Sequence, residues 1–171
     1  FQTPQGRVTS ESTSTMAYPG RIRVDGRVGG AEVSQVFNNG VAWVRDPTGT
    51  RDVPADLAEG FGESLRRDLI TLLITVAEGR APVKALPEMG YNGLVYRVLE
   101  VDGDDKAKAL TVWVAADGLV SRVQYSLTGP DGRPQRMEER FSDYRAVDGV
   151  QIPFRSELWQ NNRLAADSLF T

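Results

Sequence analysis

The densest acidic group in the chain is Val101-Asp102-Gly103-Asp104-Asp105-Lys106. Oxygen ligands this close in sequence suit a hard cation such as calcium. The run lacks the full spacing of a helix-loop-helix calcium site and its distal bidentate Glu, and acidic Gly-containing turns between strands are ordinary. A solvated turn is therefore the expectation. Glu138 and Glu139 are a second candidate pair, for acid/base work on a glycosidic bond. Adjacent strand residues point to opposite faces, so these two carboxylates cannot flank one bond. Asp143 and Asp148 straddle a turn and suit its hydrogen bonding. The chain has no histidine and no cysteine. That removes Ser-His-Asp and Cys-His catalysis, disulfides and the usual zinc sites. No Gly-rich phosphate loop follows a strand in the required pattern. Neither an enzyme nor a cofactor or metal is expected.

The aromatic residues offer a different chemistry. Alternation assigns Phe37, Trp43, Tyr125 and Phe141 to inward strand faces. They are either core packing or the lining of an apolar cavity. Trp113 lies opposite Leu110, Val112 and Val114, and is either packed under a loop or exposed as a partner contact.

Strands must position these side chains. Asn39-Gly40, Asp117-Gly118, Asp131-Gly132, Asp148-Gly149 and Asn161-Asn162 punctuate alternating segments, and such pairs tolerate the positive φ of tight hairpins. Arg21 to Val28 places Ile22, Val24 and Val28 on one face and Arg21, Arg23, Asp25 and Arg27 on the other. A hairpin is expected around Asn38-Asn39-Gly40, between Ala31–Phe37 and Gly40–Arg45, and a turn at Asp46-Pro47-Thr48-Gly49. A helical region opens near Pro54, weakened at Gly60 and Gly62 and stopped at Gly79. Its later part, with Leu65, Leu69, Leu72, Leu73 and Val76 at helical spacing, is apolar on nearly every side and needs a cover. After a linker holding Pro82 and Pro87, longer strands follow over residues 92–102, 107–115, 119–128 and 133–144, then a hairpin over 151–160 and 163–170. Leu119, Val123, Tyr125 and Leu127 oppose Arg122, Gln124 and Ser126; Met137 and Phe141 oppose Arg136, Glu138 and Arg140. The fold class is α+β: a strongly curved antiparallel sheet, an unclosed β-barrel, with helices covering the concave face.

Length and composition agree with one domain over residues 1–171: 40% of the chain is apolar and 25% charged. The formal net charge of −3 and the absence of an unopposed basic cluster give no reason to expect nucleic acid. The apolar run 69–77 is too short to span a bilayer, which needs roughly 20 residues. A first residue Phe1, and a strand still in progress at 166–171, fit a processed product or a domain excised from a longer chain.

The segment 141–154, Phe-Ser-Asp-Tyr-Arg-Ala-Val-Asp-Gly-Val-Gln-Ile-Pro-Phe, is similar to a hairpin of bacterial outer-membrane lipoprotein-sorting (LolA-like) proteins. There a strand ends in Tyr-Arg, turns at Val-Asp-Gly-Val and resumes with an apolar residue, Pro and Phe. The strand pair from Leu110 to Tyr125 also resembles that family, as does the order of strands, helices and longer strands. The first 50 residues match only in rhythm. The resemblance implies a half-barrel plugged by helices, in a periplasmic or exported protein freed of a signal peptide. Its ligand would be an acyl chain, lipid or lipoprotein, with an envelope protein as a further partner. The residues expected to hold that ligand are Val24, Val33, Phe37, Trp43, Leu69, Leu73, Val76, Val112, Tyr125 and Phe141. The family's cavity arginine falls on no identifiable position. The alternative is a non-catalytic structural, interaction or sensor domain of a larger envelope protein, in which the same residues are only core.

Overall fold

The computed structural model describes residues 9–102, 109–129 and 131–171, and the backbone of residues 2, 3, 6 and 7. Of the acidic run, residues 103–106 lie outside the described residues. The chain divides into two compact units, residues 9–80 and residues 1–8 with 81–171. The short antiparallel strands β1 (Gln2–Thr3) and β2 (Gly6–Arg7) belong to the second.

The unit 9–80 opens with five strands that follow one another as an antiparallel meander. These are β3 (Ser12–Ala17), β4 (Arg21–Val28), β5 (Ala31–Asn38), β6 (Val41–Asp46) and β7 (Gly49–Asp52). Alternation holds at the start of β4, with Ile22 and Val24 half-buried and Arg21 and Arg23 exposed, but Asp25 is half-buried and Val28 is 70% exposed. The turn after β5 corrects one expectation. Its two residues, Asn39 (φ 46°) and Gly40 (φ 97°), both take the left-handed conformation, so Asn38 pairs with Val41. Phe37 therefore faces Ala42, and Trp43 faces Val36. A loop one residue longer would have set Trp43 beside Phe37; the tighter turn sends it to the other face. Strand β7 is also additional to the turn read at residues 46–49.

That turn carries a pH signature. The Asp46 carboxylate accepts from the Thr48 hydroxyl (2.5 Å), from Arg51 (2.5 Å) and from the Thr48 amide (2.9 Å). These bonds, the Thr48 hydroxyl foremost, lower its pKa to about 2. Because the folded value lies below the ordinary one of about 4, the turn's stabilisation is complete above pH 4 and is lost as pH falls through about 2. A carbon-detected titration of Asp46 is expected to give a midpoint near 2. A midpoint near the ordinary value would show that these bonds are not held in solution.

Helix α1 (Ala55–Arg67) lies on β5 and β6, where Ala58 and Leu65 close a core with Phe37 and Ala42, flanked by Met16, Ile22 and Val53. Gly60 and Gly62 do not split it, because burial of that face offsets the weak propensity of glycine. Gly62 has a packing reason: a Cβ there would lie 3.2 Å from Phe37 Cζ. Gly60 has none, since nothing stands within 4 Å. Gly60→Ala should therefore raise unfolding free energy by about 0.5–1 kcal/mol, read as a higher urea midpoint at unchanged slope.

The helical region breaks instead at Asp68 (φ −55°, ψ 134°), which caps α2 (Leu69–Ala77). Its carboxylate accepts from the Thr71 amide (3.0 Å) and hydroxyl (3.1 Å). Asp68→Ala should cost about 0.5–2 kcal/mol, and Asp68→Ser should recover most of it; equal urea midpoints for all three proteins would contradict the cap. Gly79 (φ 67°) ends the helix as expected. Leu69, Thr71 and Leu72 are buried, but Leu73 is 45% exposed, so α2 is not enclosed on every side.

Residues 81–171 form a seven-stranded antiparallel meander. Its strands are β8 (Val83–Tyr91), β9 (Leu94–Val101), β10 (Leu110–Val114), β11 (Val120–Thr128), β12 (Pro134–Val147), β13 (Val150–Gln160) and β14 (Arg163–Leu169). Strand β8 occupies what the two prolines had marked as a linker. It is an edge strand whose register shifts between Leu86 and Met89, which accommodates Pro87. Asn92 (φ 51°) and Gly93 (φ 77°) make its hairpin with β9. Neither sheet closes on itself: β3 and β7 are the edges of one, β8 and β14 of the other. The wall expected as one bent sheet is thus two open ladders.

Candidate functional site

Residues directly opposite each other on neighbouring strands share a face. Val112 pairs with Leu99 and Val123, Tyr125 with Met137, Leu110 with Val101, and Phe141 with Ser156. The pleat places all of these on one side of the seven-stranded sheet. Leu110, Val101 and Val123 are each 1% exposed, Val112, Met137 and Phe141 are buried, and Tyr125 is half-buried. Three residues expected at an apolar site, Val112, Tyr125 and Phe141, are therefore brought together.

The other seven lie in the unit 9–80. Val24 and Val33 share the face of Phe37, since Phe37 pairs with Ile22, and Val33 with Gly26. Trp43 does not belong with them, for the reason of register given above. Leu69 is buried, Val76 half-buried and Leu73 largely open.

The opposite face of the seven-stranded sheet holds a cluster that the sequence displayed only as polar alternation. The pairings Val98–Trp113–Arg122–Arg140–Glu157 and Thr111–Gln124–Glu138–Trp159 run across five strands. Trp113, Tyr96 and Val98 form a small core flanked by Leu86 and Ala115. The rings of Tyr96 and Trp113 meet edge-on, with centroids 5.7 Å apart at 65°. Trp113 is neither of the two things expected of it: it is buried as the floor of this cluster, and its indole donates to Gln124 (3.2 Å). The Arg122 guanidinium lies 4.2 Å from the ring centre of Tyr91, 4.8 Å from Trp113 and 5.6 Å from Tyr96. Arg140 stacks 4.3 Å over Trp159. An open groove of about 380 Å³ runs along this face, lined by Leu86, Met89, Tyr91, Trp113, Arg122 and Glu138 among others.

Glu138 is the carboxylate at the centre of the cluster, and Glu157 lies across from Arg140 at its edge. Gln124 and Arg140 donate to Glu138, and Arg122 and Arg136 stand at 3.7 and 3.9 Å. Burial pushes its pKa up, but the hydrogen bonds from Gln124 and Arg140 and the charges of Arg140 and Arg122 outweigh that and hold it low. The acid is thus ionised at neutral pH. Glu139, one residue on, points the other way and accepts from Ser156. The two carboxylates are separated by the sheet, as strand geometry required. Tyr144 donates to the Val120 carbonyl (2.6 Å), and burial, with Asp117 nearby, pushes its phenol up to about 12. None of these groups forms a nucleophile–base pair with a third orienting residue.

No protein-family model matches this sequence, and no curated protein matches it. By structure the chain is similar to a domain described as an outer membrane lipoprotein-sorting protein domain, from Vibrio parahaemolyticus. The TM-score is 0.56 at 13% identity, over 99% of this chain and 81% of that one. A LolA superfamily protein from Nitrosomonas europaea aligns at TM-score 0.46 and 14% identity, over 88% and 78% of the two chains. A DUF1329 family protein from Desulfovibrio piger aligns at 0.42 and 16%, over 81% and 69%. The fold is thus LolA-like, as the hairpin at 141–154 implied. Among the described residues, no helix is long and apolar enough to cross a membrane.

Proposed function

We propose that this chain is a non-enzymatic binding module of the bacterial periplasm that holds an apolar ligand, an acyl chain of a lipoprotein or lipid. The observation that carries the reading is the largely apolar face of the seven-stranded sheet, from Val101 and Leu110 through Val112 and Val123 to Met137 and Phe141, in which the carboxylate on that side, Glu139, is hydrogen-bonded by Ser156. The shared fold with a lipoprotein-sorting domain supports it. Each methylene withdrawn from water is worth about 0.8 kcal/mol, so one long chain can bind without a charged contact. In this reading ligand and self-packing exchange on that face as two states.

Mass spectrometry of an organic extract of the natively purified protein tests this. Lipid in stoichiometric amount is the expected result. Protein that emerges free of lipid from a lipid-rich host envelope would favour the other reading, a structural or interaction domain whose apolar residues are only core.

A further inference from the structure

We propose that the face opposite the apolar one carries a second site, for an oxyanion (carboxylate or phosphate) borne on a short apolar body. The inference does not rest on the function proposed above. Its centre is Arg122, whose side chain is only 8% exposed. Its Nε is buried with no hydrogen-bond partner. The nearest carboxylate oxygen, on Glu138, is 3.7 Å from its Nη1, beyond hydrogen-bond reach. Glu138 is already engaged by Gln124 and Arg140. Three guanidiniums, of Arg122, Arg136 and Arg140, surround this one carboxylate, while Glu157, across from Arg140, is taken up by Arg155 and the Trp159 indole. Stacking between Tyr91 and Trp113 fixes the plane of the Arg122 fork but supplies no acceptor. A buried guanidinium held flat and short of acceptors is matched by a planar or tetrahedral oxyanion, which takes its N–H groups in pairs. The groove beside it has an apolar wall of Leu86, Met89 and Tyr91, two of which stand open to water at 47% and 39% exposure. That wall suits a hydrocarbon stub attached to the anion.

The same chemistry could arrive on a free acid or on a lipid headgroup, and the test separates them. The Arg122 Nε–H resonance is followed by 15N NMR while octanoate, octyl phosphate or neutral octanol is added. Vesicles of phosphatidylglycerol, with phosphatidylcholine as control, form a second arm. A saturable shift with the soluble anions and none with octanol is expected; a response to phosphatidylglycerol vesicles alone would support the site with a headgroup as its source. Arg122→Gln should weaken binding at least tenfold. Glu138→Gln should strengthen it several-fold, because the nearby negative charge that repels an incoming anion is gone; this variant decides the matter if Arg122→Gln does not fold. Silence toward every anion, equal binding of octanol, or no gain in Glu138→Gln would each overturn the proposal. The Val112 and Val123 methyls, on the other face, report the hydrocarbon reading separately, so either idea can fail alone.

Discussion

Phe141→Ala is expected to lower the unfolding free energy by about 3–5 kcal/mol, the range for removing a packed aromatic ring. Phe141 is buried on the apolar face of β12, opposite Ser156 of β13 and two residues along from Glu139, the partner of Val123. Its truncation removes transfer energy and leaves a void that stiff neighbouring strands fill poorly. The binding reading adds a second expectation. Because the face is already buried without ligand, hydrocarbon must displace packing there, and a void makes that easier. A neutral acyl ligand should therefore raise the melting temperature of Phe141→Ala more than that of the wild type. A loss below 1 kcal/mol in urea titration would mean that Phe141 is not part of a packed face. Equal thermal shifts would leave the face as core and remove it as a ligand wall.

Gly62→Leu is the second large effect. A Cβ at this position already meets Phe37 at 3.2 Å, closer than ordinary contact, and leucine adds three more carbons toward the core of Phe37, Ala42, Ala58 and Leu65. Overpacking of this kind costs about 1–3 kcal/mol, against a helix-propensity gain of about 1 kcal/mol for replacing glycine. A net loss in the urea midpoint is expected, opposite in sign to Gly60→Ala one turn-half earlier. If both substitutions stabilised equally, α1 would not sit against β5 at this point.

Most of the strand plan was legible because turn residues and alternation are local signals. Asp148-Gly149 and Asn161-Asn162 lie between paired strands, and Val112, Tyr125 and Phe141 fall on one face as their spacing requires. The failures also have local causes. Trp43 changed face because one residue of loop length flips a whole strand, and Asn38-Asn39-Gly40 admits two registers. Strand β8 was hidden by Pro87, which an edge strand tolerates at a bulge, although Asn92-Gly93 announced the hairpin. The division of the sheet into two ladders leaves no mark in alternation, since each strand looks the same whichever neighbour it pairs with. The Arg122 cluster was missed for a different reason. Arg122, Gln124, Glu138 and Arg140 read as a wet face, and only Trp113 among them signalled that aromatic rings would bury part of it.

The claim on which the functional account depends is that hydrocarbon occupies the apolar side of the seven-stranded sheet. Methyl NMR of the intact chain, titrated with a neutral short-chain monoacylglycerol below its micellar concentration, addresses it residue by residue. Saturable shifts are expected at Leu110, Val112, Val123 and Met137, with the Arg122 side chain unmoved. Methyl signals that stay in place up to the solubility limit of the ligand would contradict it.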